Sequence, residues 1–226
     1  MVGIWFIFIV FTLISWAVSS RLKSKFKEYS KIPTSNAMTG KDVAAQMLRD
    51  HGIYDVKIGS VQGQLTDHYN PAEKTINLSR EVYSGQSIAA AAVAAHECGH
   101  AVQHAHSYAW LQMRSAIVPF VSFSSRYVQW ILLAGIILVN STPLPLFIGI
   151  ILFAATTLFS FITLPVEIDA SRRGLRWLKT SGITNTSSQA KAFDALKWAA
   201  YTYVVAALSS LATLLYYVMI FMGRRD

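Results

Sequence analysis

The pattern His-Glu-x-x-His occurs in this sequence as His96-Glu97-Cys98-Gly99-His100. On an α-helix, residues four apart differ by about 40° in direction and by one turn in height, so the imidazoles of His96 and His100 can bind one metal ion. The pattern is typical of zinc peptidases, in which the carboxylate takes a proton from a water molecule. It therefore predicts a hydrolytic zinc site, with two hydrogen-bonded histidines in a metal-free polar core as the alternative.

A catalytic zinc ion usually has three protein ligands and one open coordination position. The downstream carboxylates are Glu167 and Asp169, in the segment "LPVEIDASRRGLRWL". Residues two positions apart on a helix differ by about 200° in direction. Only one of these two carboxylates can therefore face the metal, and the other supports the site or is solvated. A fourth protein ligand, such as His104 or Asp169, would instead indicate a structural zinc ion in a non-catalytic membrane scaffold or adaptor.

The composition indicates the kind of protein that carries this motif. Of the 226 residues, 53% are hydrophobic and 14% charged, which is too apolar for an ordinary soluble domain. The net charge of +8 does not predict nucleic-acid binding, because the basic residues cluster beside apolar stretches. The single cysteine, Cys98, excludes an intrachain disulfide and a multi-cysteine metal site. It lies about 200° around the helix from His96, where a packing role is expected.

Four stretches are apolar enough for transmembrane helices, and we expect a multi-pass membrane protein. Basic residues follow the first stretch directly, which favours an uncleaved anchor with its N-terminus outside over a signal peptide cut near Ser19 or Ser20. Apart from Arg126, the spans lack the polar pairs of an ion pathway, so a transporter is disfavoured. The predicted spans are residues 2–18, 117–139, 143–164 and 198–222.

This topology predicts that the zinc site lies in the cytoplasm. Residues 30–116 form the catalytic region with the zinc helix, and residues 165–197 form a second cytoplasmic segment that supplies the third ligand. The uncharged turn "NSTPLP" lies outside, together with Arg224 and Arg225, whose charge counts against this orientation. The opposite orientation is the alternative, and it would place the same chemistry outside the cell.

The polar region predicts a small α+β subdomain within a single, mainly α domain spanning residues 1–226. "TGKDVAAQMLRDHGI" is an amphipathic helix with Thr39 as its cap, and "SGQSIAAAAVAAHECGHAVQHA" is a helix capped by Ser84 or Ser87. "DVKIGSVQG" and "KTINLS" alternate like half-buried strands, and "HYNPAEK" between them has turn chemistry. We therefore expect a short β-hairpin.

Four segments resemble a known family over nearly the whole chain. The sequence is similar to the membrane-bound neutral zinc metallopeptidase family 2, the YugP-like proteins of gluzincin type. More distantly, it resembles the membrane endopeptidases that include the heat-shock-type quality-control protease and the CAAX prenyl protease. The segments are "DHYNPAEKTINLS", "SIAAAAVAAHECGHAVQ", "LPVEIDASRR" and "YVVAALSSLATLLYY".

The resemblance implies a complete set of zinc ligands. In those enzymes the third ligand is the glutamate of a Glu-x-x-x-Asp pattern, which corresponds here to Glu167, so that one zinc ion is bound by His96, His100 and Glu167. Glu97 is then the general base. The position of the following aspartate holds Ser171, and Asp169 is the expected substitute for the missing carboxylate.

The resemblance and the spacing also indicate supporting residues. His104 continues the four-residue spacing and is expected beside the site rather than on the metal. His68 and Tyr69 are candidates to stabilise an oxyanion, and simple packing or exposure is the alternative. An edge strand at residues 74–79 would pair with an extended substrate through Thr75, Ile76, Asn77 and Leu78, with a plain core strand as the alternative.

Together these patterns predict an integral membrane zinc endopeptidase. The expected substrates are membrane-associated or unfolded polypeptides, reached near the lipid bilayer. The resemblance implies a prokaryotic plasma membrane, and the distribution of basic residues predicts that the catalytic site lies on its cytoplasmic side.

Overall fold

A computed structural model describes residues 2–223 and is mainly α-helical, with a small sheet. The elements and their bounds in chain order are α1 Val2–Tyr29, α2 Gly40–Asp50, β1 Lys57–Val61, β2 His68–Asn70, β3 Thr75–Ser79, α3 Arg80–Tyr83, α4 Ile88–Ala105, α5 Ala109–Leu138, α6 Leu144–Thr180 and α7 Thr186–Met222. Helix α4 carries the His-Glu-x-x-His pattern, and α6 carries Glu167.

Four helices are long and apolar enough to cross a membrane, in agreement with the four predicted spans. They are Gly3–Tyr29 within α1, and the whole of α5, α6 and α7. Each helix is longer than the apolar stretch inside it. In particular, the apolar residues 143–164 and the predicted third-ligand segment lie on one helix, since α6 continues without a break to Thr180.

The chain forms two compact units. The first comprises residues up to Ala17, Gln112–Leu164 and residues from Thr202 onward. Its core contains Leu132 and Leu146, and α5 and α6 approach so closely that a Cβ on Gly135 would lie 2.5 Å from Leu146 Cα. Large apolar side chains face outward in this unit, with 63% of Trp5 and 71% of Ile137 exposed. Such a surface suits a hydrocarbon environment.

The second unit comprises Val18–Leu111 and Pro165–Tyr201. Its core is built from α2, α4, the sheet and the C-terminal half of α6, and α4 is buried along most of its length. The alanines of α4 make this burial feasible, because small side chains let neighbouring elements approach the helix closely. Met47, Ile76 and Leu178 are fully buried around it.

Two predicted helix caps are confirmed. The side-chain hydroxyl of Thr39 accepts a hydrogen bond from Asp42 N, and the Asp42 carboxylate accepts one from Thr39 N, so α2 begins with a capping box. The hydroxyl of Ser87, one of the two serines proposed, accepts from Ala90 N at the start of α4. The cap fixes where the helix that carries His96 and His100 begins.

The sheet differs from the predicted hairpin. Its strand order is β1-β3-β2, with β1 parallel and β2 antiparallel to β3. The segment predicted as a turn contains β2, so the hairpin joins β2 to β3 and not β1 to β3. Only the second half of the segment predicted as a turn forms one: the side-chain oxygen of Asn70 accepts hydrogen bonds from the backbone N–H groups of Ala72 and Glu73. A strand of three residues is too short for alternation to reveal it.

Candidate metal centre

Helices α4 and α6 bring together the three predicted metal ligands. His96 and His100 point their Nε2 atoms at the same oxygen of Glu167, Oε2, at 3.3 and 3.5 Å. One ligand atom from each residue lies within 4.8 Å of the other two. His100 and Glu167 are buried and His96 is partly buried. This group of three side chains can hold a metal ion.

The two helices touch through their backbones beside this group. A Cβ on Gly99 would overlap the carbonyl oxygen of Ala170, and a Cβ on Gly174 would lie 2.7 Å from the carbonyl oxygen of Ala95. Since each glycine faces a backbone that cannot rotate away, the close approach requires glycine at both positions. This contact sets the distance between the histidines of α4 and the carboxylate of α6.

Gln103 fixes the tautomer of His100. Its side-chain nitrogen donates to the backbone oxygen of Val166, at 2.8 Å, and to the carboxylate of Asp169, at 2.9 Å. Both partners only accept, so the amide oxygen must be the atom that faces His100 Nδ1, at 3.0 Å. Nδ1 of a neutral His100 therefore carries the proton, and its Nε2 keeps a lone pair directed at Glu167.

Ser171 holds the other histidine. Its hydroxyl lies 3.0 Å from His96 Nδ1, while Nε2 of the same ring points at Glu167. The position at which the resemblance implies an aspartate thus contacts His96 through a hydroxyl. Asp169 contacts Gln103 and Arg173, so this carboxylate acts on His100 through Gln103.

Glu97 lies between the two histidines in sequence and only 6% of it is exposed. Burial raises the pKa of its carboxyl. His96 and His100 oppose this shift in pKa, and the nearby charges of Glu167 and Asp67 add to it. A carboxyl whose pKa is raised above its ordinary value suits a group that accepts a proton and later returns it.

His104, Tyr69 and His68 lie apart from the three ligands. The Tyr69 hydroxyl and His104 Nδ1 are 2.7 Å apart, beside a small cavity of about 120 Å³ that is also lined by Asp55 and Lys74. His68 is exposed, and its Nδ1 lies 2.8 Å from the backbone oxygen of Thr66. Among the described residues, the group that can hold a metal includes neither His104 nor Asp169.

The predicted substrate-binding edge strand is wrong. β3 is the central strand of the sheet: β1 pairs along Thr75–Ser79 on one side, and β2 pairs with Thr75, Ile76 and Asn77 on the other. From Thr75 to Asn77 the strand is therefore paired on both sides, so it does not offer the edge at which a substrate was expected to bind. Ile76 and Leu78 are fully buried, so the alternative of a core strand is correct, and the free edges of the sheet belong to β1 and β2.

Two residues that lie near the site were not predicted from the sequence. Gln103 follows His100 by three positions on the same helix, a spacing that places it on the same face and could have identified it. Asp67 lies in the loop before β2. Its carboxylate accepts from Ser79 N at 2.7 Å, and burial raises its pKa. No local pattern connects this loop residue with Glu97.

Comparison with known proteins identifies the family. The model of the family described as "Putative neutral zinc metallopeptidase" matches residues 4–222, which include both histidines, Glu97 and Glu167. The chain belongs to this family. It is also 43% identical over 211 residues to the "Putative membrane protease YugP" of Bacillus subtilis (strain 168), covering 93% of this chain and 92% of that protein. No solved structure matches the chain.

The family implies a zinc ion, and the residues present fit one. Two neutral imidazoles and one carboxylate form a ligand set found in catalytic zinc sites. Both imidazoles hold their Nδ1 atoms in hydrogen bonds, to Ser171 and Gln103, while their Nε2 atoms converge. This orientation is typical of histidines that bind a metal through Nε2.

Proposed function

We propose that this chain is a membrane zinc endopeptidase of the His-Glu-x-x-His type, with one zinc ion held by His96, His100 and Glu167. The proposal rests chiefly on the two Nε2 atoms that converge on one carboxylate oxygen while both Nδ1 atoms are engaged elsewhere. Bound there, zinc would lower the pKa of a water molecule and polarise the carbonyl of the scissile peptide bond.

Glu97 is the general base in this proposal. Its carboxylate accepts a proton from the attacking water and delivers that proton to the nitrogen of the leaving amine. Burial, which raises its pKa, makes both transfers feasible for one group. Three ligands also leave the position that a substrate carbonyl needs, whereas a structural zinc site would have four.

The substrates proposed are membrane-associated or unfolded polypeptides, and the proposed location of the site is the cytoplasmic side of the membrane. Two facts support the substrate class. Glu167 lies on the same helix as the apolar residues 143–164, and the relative in Bacillus subtilis carries the name of a membrane protease. The basic residues after the first apolar stretch support this location.

The experiment compares the detergent-purified wild type with Glu97→Gln and Glu167→Ala. Zinc is measured by elemental analysis and cleavage is measured on unfolded casein. We expect one zinc ion and cleavage for the wild type. Glu97→Gln should retain zinc but lose activity by about 10²–10⁴-fold, the usual contribution of a general base. Glu167→Ala should lose zinc and activity together.

Two outcomes would contradict this mechanism. Wild-type rates of cleavage by Glu97→Gln would exclude Glu97 as the base. Zinc in all three proteins without cleavage by any of them would favour the scaffold with a structural zinc ion.

A further inference from the structure

A groove of about 960 Å³ lies between the end of α1 and the segment that leads into α4. One wall is formed by α1 and the residues that follow it, and the other by the loop after β1, by α3 and by the residues before α4. Its size is at the upper end of the range for ligand sites. The wall residues that matter here are Lys23, Lys27, Lys31, Leu65, Glu81 and Ser87.

The groove carries an excess of positive charge. Lys23, Lys27 and Lys31 are exposed, and none of them forms an ion pair within the described part of the chain. Lys25, in contrast, turns to another side of α1, where it pairs with Glu28 at 2.9 Å and with Asp194 at 3.7 Å. The unpaired lysines create a potential that attracts an anionic ligand.

The carboxylate in the groove leaves most of this charge uncompensated. Glu81 is the acidic side chain of the lining, and it accepts a hydrogen bond from the side-chain nitrogen of Gln64 at 2.8 Å. The lining of the groove therefore has one carboxylate and three ammonium groups. Phe26, Pro33 and Leu65 add apolar surface, so the groove suits a chain that has both acidic and apolar parts.

Helix α4 connects the groove with the metal centre. Ser87, which lines the groove, caps α4 nine residues before His96, a distance of about 14 Å along the helix. An extended polypeptide covers about 14 Å in about four residues. A substrate held at the metal centre thus has flanking residues within reach of the groove.

We propose that this groove binds acidic residues of the polypeptide substrate, about four positions from the bond that is hydrolysed. This inference rests on the proposed peptidase function. A peptide fits the lysines better than a lipid headgroup does. The headgroup layer is about 5–8 Å deep. Lys23, five residues or about 8 Å of helix beyond Val18 at the end of the apolar stretch, is within its reach, whereas Lys27, nine residues or about 14 Å beyond Val18, lies outside it.

The first test measures binding in the absence of cleavage. Full-length protein carrying Glu97→Gln, in non-ionic detergent, is titrated into fluorescent hexaglutamate and hexaglutamine, and anisotropy is recorded. The groove variant adds Lys23→Gln, Lys27→Gln and Lys31→Gln. The matched control adds Lys41→Gln, Lys57→Gln and Lys179→Gln, which change the net charge equally at exposed positions outside the groove.

Binding of hexaglutamate should weaken about tenfold in the groove variant and less than twofold in the control, since each exposed ion pair contributes modestly. Hexaglutamine should bind weakly to all three proteins. Equal weakening in both variants would show a general charge effect and overturn the proposal. The proposal would also be overturned if hexaglutamate did not bind in detergent and only the groove variant lost binding to phosphatidylglycerol vesicles. The ligand of the groove would then be lipid.

The second test uses the active protein on casein, an acidic unfolded substrate. With Glu97 intact, the three groove substitutions should raise KM about tenfold and leave kcat unchanged, because they remove ground-state binding at a distance from the reacting bond. An unchanged KM would contradict the proposal. If the wild type does not cleave casein, the peptidase proposal fails, while the hexaglutamate titration still decides whether the groove binds acidic chains.

Discussion

At the scale of single residues, the contact that matters most for the proposed zinc site is the one between Gln103 and His100. Gln103 joins His100, the Val166 backbone and Asp169 in one buried network. A hydrogen bond to the outer nitrogen of a ligating imidazole fixes its orientation and increases its basicity, and losing such a partner typically costs 10–100-fold in metal affinity. In the proposed site, zinc affinity should therefore depend on a residue outside the ligand set.

Gln103→Leu should weaken zinc binding about 10–100-fold, because His100 would lose the partner that keeps its proton on Nδ1. Zinc affinity is measured by competition with a chelating dye. Gln189→Leu is the matched control, since Gln189 also contacts a backbone oxygen within the same unit, that of Leu175. Equal zinc affinity in Gln103→Leu and the wild type would show that the network is not needed for binding.

The metal ligands and their supporting residues differ in how far they can be predicted from sequence. His96, Glu97 and His100 are predicted by local spacing alone, because one helix places them. Glu167 follows only from the resemblance, since it comes from another helix far along the chain. The contact of Ser171 with His96 and the chain from Asp169 through Gln103 depend on the packing of α4 on α6, which no local pattern encodes.

At the scale of elements, that packing is controlled by glycines on both helices. Alanine at Gly174 would place a methyl group 2.7 Å from Ala95 O and 2.8 Å from Ala95 C. In an isolated helix alanine is favoured over glycine by about 1 kcal/mol. The clash opposes this preference, and overpacking of a close contact typically costs about 1–3 kcal/mol. The effect of Gly174→Ala on stability therefore shows whether helix propensity or the contact between α4 and α6 dominates at this position.

We expect Gly174→Ala to lower zinc affinity, because α6 must move away from α4 and take Glu167 with it. Thermal stability should fall as well, and zinc stoichiometry and melting temperature are both measured. Gly59→Ala is the control, since its Cβ would meet only a side-chain atom, Asn77 Oδ1, at 3.2 Å. Tighter zinc binding or a higher melting temperature in Gly174→Ala would refute the close contact as the determinant of the site.

The elements themselves were predictable where the signal is local. The caps at Thr39 and Ser87 lie beside the helices they start, and the apolar stretches mark the four long helices. The sheet was not predicted correctly, because β1 and β3 pair in parallel across an intervening strand. Such pairing is decided by packing on α2 and α4, so the spacing of apolar residues does not reveal it.

At the scale of the whole molecule, zinc should link folding to metal binding, because its proposed ligands, His96, His100 and Glu167, come from two helices far apart in the chain. A ligand at 100 times its Kd stabilises the folded state by about 2.7 kcal/mol, which corresponds to a rise of about 5–10 °C in melting temperature for a chain of this size. Adding 1,10-phenanthroline to the wild type should remove this rise. Glu97→Gln should behave like the wild type, and Glu167→Ala should show no response. A chelator response in Glu167→Ala would place the metal elsewhere.

The orientation in the membrane can be tested with introduced cysteines, because the natural Cys98 is fully buried and burial raises the pKa of its thiol well above the ordinary value. It should not react with a membrane-impermeant maleimide. Lys57→Cys and Ser141→Cys each place a thiol at an exposed position, the first in the unit that contains His96, His100 and Glu167 and the second in the turn between α5 and α6.

Five basic residues between positions 21 and 31 follow the first apolar stretch, and lysine and arginine beside a span favour the cytoplasmic side. Maleimide added to intact cells should therefore label Ser141→Cys and leave Lys57→Cys unlabelled until the cells are broken. Labelling of Lys57→Cys in intact cells would reverse the orientation. The zinc site would then act on extracellular polypeptides, and the basic groove would face an acidic substrate outside the cell.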